Sequence, residues 1–401
     1  MSLKGIFESL GLYGVILDIL LVPPLSFIYL FTLYHFYCYG FLIKDDRSYS
    51  KSKYALEEVP VSIIVPIYNE PMRVIKSSLN SLSSLHYGDL EVIVADGSSK
   101  NYSNKVEMLC AENGYSYTHR DDAGGYNGPA ILQAANEAHG NVIGIVDSDY
   151  IVNPEWLNKT MHLISDDAIS SVQCPQCYRN LENSVARVAS AFRLSNIKVK
   201  LARSLEGAVT CTGTMVLHEK ELFQKLFSAD FATSDFAYSL RLISRGKQIM
   251  YVPKVMGSGI GPTSVLDYAR QQARWLDNLR GLLFFSKDFN TTLSLRKRMH
   301  LWVHGISHLN HLAAGIILFL GISTLTLDFA TGIYLLALYF GYSLYRLLYG
   351  KFNGAILKII DVFTLMKMDA VCTPILFREL MTIIIRKASR YERTPKNRIS
   401  N

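Results

Sequence analysis

Residues 11–43 form a run of 33 residues with a single charged side chain, Asp18. As a helix rising about 1.5 Å per residue, such a run exceeds a hydrocarbon core of roughly 30 Å. It predicts one tilted transmembrane helix over residues 1–43, broken near Pro23 and Pro24, because two crossings and a turn would leave each too short. The run is about twice as long as a signal-peptide core and only Lys4 precedes it, so it reads as a retained anchor. Composition agrees: Asp, Glu, Lys and Arg make up 19% of the 401 residues, against about 25% in soluble proteins. An aromatic content of 11% excludes a disordered chain, and six scattered cysteines exclude a secreted disulfide scaffold. The net charge of +7 is concentrated beside apolar runs and in the C-terminal tail, which points to membrane lipids as partners and away from nucleic acid.

Residues 44–285 differ. Short β-branched runs at 61–66, 91–95 and 142–146 alternate with stretches of helical spacing, and each run ends in a polar or glycine-containing turn. That pattern predicts an α/β domain of buried parallel strands, with its chemistry at the strands' C-terminal ends. Apolar character returns at 301–322 and 329–349, which predicts a transmembrane hairpin within 286–352. Arg296, Lys297 and Arg298 precede it, Arg346 and Lys351 close it, and Lys44, Arg47, Lys51 and Lys53 follow the first span. The positive-inside rule puts these ends in the cytoplasm and describes a multi-pass plasma-membrane protein with a cytoplasmic α/β domain. Residues 355–385 are apolar but interrupted by Lys358, Asp361, Lys367, Asp369, Arg378 and Glu379, so 353–401 is expected to form interfacial helices and a basic cytoplasmic tail.

Three groups of residues could carry chemistry. Asp147-Ser148-Asp149 ends the third β-branched run, and two carboxylates one residue apart can hold Mg²⁺ or Mn²⁺ while leaving positions for substrate phosphates. A solvated turn is the plainer reading of such a pair. Asp96, in Asp96-Gly97-Ser98-Ser99, could accept a hydrogen bond from a nucleobase, or the segment could simply cap a helix. Gln271, Arg274 and Trp275 share one face of a predicted helix and offer an amide, a phosphate-binding guanidinium and a ring suited to stacking on a sugar. Packing at a membrane interface would use the same residues.

The ordered set VSIIVPIYNE, EVIVADGSS, VDSD, CTGT, TSDFAYSLRLISRG, QQARW and RTPK resembles the membrane-integral members of glycosyltransferase family 2, the group of cellulose, chitin and hyaluronan synthases and ceramide glucosyltransferases. The resemblance spans roughly residues 61–275, with a weaker echo to the tail. It implies a GT-A nucleotide-sugar-binding domain embedded between transmembrane helices, a nucleotide-sugar donor, a divalent metal and inversion at the anomeric carbon. By the same resemblance Asp96 contacts a uracil, Tyr68 and Glu70 fall in the donor site with it, and Asp147 and Asp149 are the metal and diphosphate pair. Asp235 is similar to the general base, with Ser234 where many synthases have Glu, while Gln271, Arg274 and Trp275 match the QxxRW motif near the diphosphate and the acceptor. Residues 211–214 resemble the loop that borders the acceptor. Two departures stand out: Tyr126 occupies about the place of a lysine in many relatives, and Asp96 lacks a second acidic neighbour. The expected acceptor is a growing polysaccharide, with a single transfer to ceramide or a polyprenyl phosphate as the alternative and an inactive scaffold as a minor one. Oligomerisation could complete a polymer channel.

Two other features have mainly plain readings. Cys174 and Cys177 have metal-ligand spacing but no partner pair, and read as part of a core strand. His304, His308 and His311 are expected on one face of the first hairpin helix, as a polar packing face or the lining of an acceptor path.

Overall fold

The computed structural model describes residues 3–44, 59–120, 127–164, 168–228, 234–284 and 293–385, and in the first helix the side chains of residues 14–40. Tyr126, Arg47, Lys51, Lys53 and the tail from residue 386 lie outside the described residues.

The first β-branched run becomes β1 (Val61–Ile67), in which all seven residues are buried. It pairs in parallel with β2 (Leu90–Asp96) on one side and with β4 (Val142–Ile145) on the other. β3 (Ser116–His119) extends the β2 edge, and β8 (Val216–Glu219), β6 (Ile169–Gln173) and β9 (Gln248–Tyr251) complete a sheet of order β3-β2-β1-β4-β8-β6-β9. The chain therefore runs outward from β1 to β3 and returns to the other side of β1. That reversal opens a crevice at the C-terminal ends of β1 and β4, where ligands bind in open α/β sheets. A second sheet of β5 (Ile151–Val152), β10 (Gly257–Gly259) and β7 (Cys177–Tyr178) lies beside it. Cys174 and Cys177 are buried free thiols, and burial pushes them up to about 12 and about 11, far from the thiolate that zinc requires.

Helices α2 (Met72–Leu82), α3 (Lys100–Asn113), α4 (Gly128–Glu137), α5 (Trp156–Ile164), α7 (Lys220–Leu226) and α8 (Ser234–Ser244) belong to this domain. The long α6 (Ser184–Leu205) starts where the Asn183 side chain accepts from the N–H groups of Val185 at 2.9 Å and Ala186 at 3.2 Å. At α9 (Val265–Leu276) the Ser264 hydroxyl accepts from the Asp267 N–H at 3.1 Å and donates to its carboxylate at 2.6 Å. After the short α10 (Asn278–Phe284) come α11 (Leu295–Ile306), α12 (Leu309–Thr324), α13 (Phe329–Phe352) and α14 (Ile360–Ile384).

The helices expected at a membrane correct several expectations. Helix α1 (Leu3–Lys44) runs unbroken through Pro23 and Pro24. The two prolines remove only two donors from the ladder, and Leu25 and Ile28 pack on Ala314, Ile317 and Tyr339, so tertiary contact carries the helix across the gap. Only Gly14–Gly40 is long and apolar enough to cross a membrane by itself among the described residues; α11 and α12 make a second candidate if the bent pair counts as one span. The second hairpin leg, α13, has five tyrosines and Arg346, which lower its hydropathy. Arg346 is not a flanking cytoplasmic charge: it is buried and ion-paired with Asp369.

Residues 355–385 also differ from the predicted set of interfacial helices. They contain one 25-residue helix, α14, whose acids point into protein. Asp361 is 0% exposed and takes Arg187 Nε at 2.9 Å and Nη2 at 2.7 Å, a two-pronged pair that ties α14 to α6. Charges that looked incompatible with burial are thus neutralised by arginines far away in sequence. Removing one partner leaves the other buried and unpaired, so Asp361→Ala is expected to destabilise the protein by about 3 to 5 kcal/mol, while Lys367→Ala serves as a control with a small effect. Thermal unfolding in detergent checks both.

Candidate active site

Tyr68, Asn69 and Glu70 follow β1 at the mouth of the crevice. Asn69 adopts a left-handed φ of 54°, its N–H donates to Ser98 Oγ at 2.7 Å, and its side-chain oxygen accepts from the Ser99 N–H at 3.2 Å. The loops after β1 and β2 are thereby joined. The Tyr68 N–H donates to Glu70 Oε2 at 2.5 Å, so this carboxylate, 5% exposed, shapes its own turn. Asp96 ends β2 fully buried, with Oδ1 accepting from the Ser98 N–H at 2.8 Å and Oδ2 from the Tyr117 hydroxyl at 3.0 Å. A nucleobase reaching Asp96 would share these oxygens with protein donors.

Asp147 emerges from β4 half-buried, and its N–H donates to Thr214 Oγ1 at 2.9 Å. Asp149 differs from an exposed loop carboxylate: it is 1% exposed, its Oδ2 accepts from the Ile260 N–H at 2.6 Å, and its carbonyl accepts from Arg179. The Gly259 position is crowded against this turn, since a Cβ there would meet the Tyr150 ring at 2.3 Å. The glycine-rich segment 257–261 is a partner of the acidic turn that sequence reasoning missed; its alternating glycines were the available signal. The two acids follow β4 one residue apart, and no group of three or more His, Cys, Asp or Glu side chains that could hold a metal ion occurs among the described residues. Asp147 and Asp149 offer hard oxygen donors of the kind Mg²⁺ or Mn²⁺ takes, and would be the residues to hold such an ion.

Residues 211–214 bridge the two halves of the site. Thr214 holds Asp147, the Thr212 N–H donates to Gln173 Oε1 at 2.8 Å, and Gly213, at φ 72°, lies so near Asp235 that a Cβ would stand 3.4 Å from Oδ2. The Cys211 N–H donates to Ser239 Oγ at 2.9 Å, and that hydroxyl donates to the Asp235 carbonyl at 2.7 Å. Burial raises the Asp235 carboxyl above the ordinary aspartate range, only partly opposed by the Phe236 and Asp235 N–H groups and by the charges of Lys200 and Arg274. A carboxylate shifted in this direction holds a proton better than an exposed aspartate does.

The α9 residues complete the wall. Gln271 and Trp275 line a cavity of about 130 Å³, together with Arg193, His308, His311 and Tyr345. Arg274 reaches Asp235 electrostatically, as does Lys200 of α6. Neither Arg193 nor Lys200 belongs to a sequence motif, and nothing in the run 184–205 marked them out. The three histidines do not share one helix face, because α11 and α12 meet at a 56° bend. His304 lies 2.9 Å from Arg203 Nη1, His308 2.9 Å from Gln272 Oε1, and His311 Nδ1 2.6 Å from Asp369. They act as separate polar anchors, with His308 and His311 lining the cavity.

Comparison with known proteins identifies the family and the fold. The family model for glycosyltransferase-like family 2 matches residues 59–278. An N-acetylglucosaminyltransferase of Rhizobium leguminosarum bv. viciae is 25% identical over 233 residues, 54% of each chain. A probable glycosyltransferase of Sulfolobus acidocaldarius is 25% identical over 284 residues, 66% of this chain and 59% of that one. The chain spans about half the length of the curated relatives it matches. Among solved structures, a mannosyltransferase of Pyrobaculum calidifontis in complex with GDP-Man and Mn²⁺ superposes with a TM-score of 0.67 at 18% identity, covering 93% of this chain and all of that one. The fold is therefore α/β and GT-A-like, and with more than half of its length matched by the family model, the chain belongs to glycosyltransferase family 2.

Proposed function

We propose that the protein transfers a sugar, with inversion, from a nucleotide diphosphate donor to an acceptor hydroxyl at the cytoplasmic face of the plasma membrane. One observation carries this reading: Thr214 accepts from the Asp147 N–H while its neighbour Gly213 lies against the Asp235 carboxylate, so the residues proposed for the diphosphate and for the base meet at one loop. Asp235 takes the hydroxyl proton as the acceptor oxygen bonds to the anomeric carbon. The bond from that carbon to the diphosphate breaks on the opposite side, and its electron pair leaves with the nucleotide. Arg274 faces the charge that develops there. Asp147 and Asp149 would hold the divalent ion, which when bound supplies Lewis-acid screening of the diphosphate. Asp96, Tyr68 and Glu70 are proposed to position the nucleotide, with uridine favoured.

A bilayer setting is supported by large apolar side chains left exposed along α1, α13 and α14, among them Ile19, Leu30, Phe36, Phe329, Phe340, Phe363 and Phe377. A growing polysaccharide is the acceptor that the QxxRW residues support. A short lipid-linked acceptor is favoured by a separate observation. The cavity under Trp275 is smaller than the roughly 300–1,000 Å³ of pockets that enclose a whole ligand, and His35 of α1 stacks on Tyr349 of α13 at 5.2 Å beside it. Incubating protein in detergent with labelled nucleotide sugars and separating polymeric from lipid-soluble product tests both. Label is expected in one fraction, and its absence from both with every UDP- and GDP-sugar overturns the proposal.

A further inference from the structure

Three enclosed arginines have carboxylate partners: Arg187 holds Asp361, Arg280 holds Asp277 and Arg346 holds Asp369. Arg193 is different. Its guanidinium carbon stands 4.3 Å from the centre of the Trp275 ring and 5.7 Å from that of Tyr178, and Nη2 donates to the Tyr178 hydroxyl at 3.3 Å. Among the described residues no carboxylate lies within ion-pairing distance of it. Lys200 follows two turns later on the same face of α6, and Arg203 one turn beyond that. Burial, with Arg193 and Arg203 nearby, lowers the Lys200 ammonium to about 7; Asp235 is the acid whose field opposes this. Arg203 is occupied structurally, donating to the Tyr34 hydroxyl at 2.8 Å and lying against His304.

Enclosing a cation without a counter-ion is unfavourable, so a row of this kind beside a catalytic cleft is suited to an anion brought by a ligand. The donor diphosphate belongs at Asp147, across the 211–214 loop, whereas Arg193 lies over the ring that faces the cavity. Among the described residues the cavity itself is lined by Arg193 and Arg346 and by no aspartate or glutamate. Its remaining walls are largely aromatic, with Phe31, Phe192, Tyr342 and Tyr345 offering faces to a sugar or a prenyl chain.

We propose that Arg193, with Lys200 behind it, is an anion subsite for the acceptor, which carries an anionic group beside its attacking hydroxyl. That group is a sugar carboxylate or the phosphate that links a sugar to a lipid. The inference rests on the sugar-transfer reading above and adds the acceptor's charge to it.

Calorimetric titration of the full chain in detergent, without donor sugar, tests it with two matched pairs. One is octyl β-glucuronide against its methyl ester; the other is a short prenyl-diphospho-N-acetylglucosamine against octyl β-N-acetylglucosaminide. In at least one pair the anion is expected to bind about tenfold or more tightly than its neutral partner, and that pair identifies the source. Arg193→Gln removes the preference, Arg193→Lys retains most of it, and UDP affinity stays unchanged in both. Equal affinities within both pairs, or no binding by any of the four, overturn the proposal. So does a parallel loss of UDP affinity in Arg193→Gln, the mark of a donor contact. Failure of the sugar-transfer reading shows separately, as absence of product in the labelled-donor assay.

Discussion

Asp147→Ala is expected to abolish sugar transfer at any Mg²⁺ or Mn²⁺ concentration, with a loss on the order of 10³-fold, because a bound cation contributes several kcal/mol of charge stabilisation to a departing diphosphate. The fold should survive. Asp147 is only half-buried, and its bond to Thr214 runs through the backbone N–H, which alanine keeps. Asp149→Ala is expected to lose activity and stability together. It leaves the Ile260 N–H without its carboxylate acceptor in a buried turn, at a cost of about 1 to 3 kcal/mol. Initial rates across a metal titration, beside thermal unfolding of each variant, separate the two. Full wild-type activity in EDTA would sink the metal assignment for both residues.

Asp235→Asn is expected to lower turnover by about 10² to 10⁴ while nucleotide affinity stays unchanged, since asparagine keeps the shape but accepts no proton. Asp96→Asn should behave in the opposite way, weakening nucleotide binding. The raised carboxyl of Asp235 adds a pH signature. The base works only when ionised, so activity falls as pH drops through its pKa, and this acid limb lies at a higher pH than an ordinary aspartate would give. Rate against pH and nucleotide affinity, measured on folded protein in one detergent, decide the matter. If Asp235→Asn loses binding and turnover together, or keeps both, the base lies elsewhere. Asp230, the nearest acid in sequence, lies outside the described residues.

The catalytic half of the molecule was legible because its signals are local. β-Branched runs bounded by polar turns became β1, β2 and β4, and Asp96 and Asp147 stand at or just after their ends, as the strand pattern predicted. Spacing along a helix placed Gln271 and Trp275 on the cavity side of α9. The C-terminal helices were less legible because charge was read as exposure. Arg346, Asp361 and Asp369 looked like marks of an interface, yet each is buried in an ion pair.

The sequence by itself determined which runs become the first parallel strands, the identity of the acids at their ends and the helix face that carries the aromatic ring. These follow from side-chain period and residue chemistry, which act over a few positions. Only the tertiary structure decided that α1 continues through two prolines, that the histidines part at a 56° bend, and that Asp149 is buried while Arg193 faces Trp275 without a carboxylate partner. Each depends on which side chain meets which across tens to hundreds of residues. Arg187 finds Asp361 174 positions away, and no local period encodes such a partner. Desolvation sets whether a charge so enclosed is neutralised within the chain or left for a ligand.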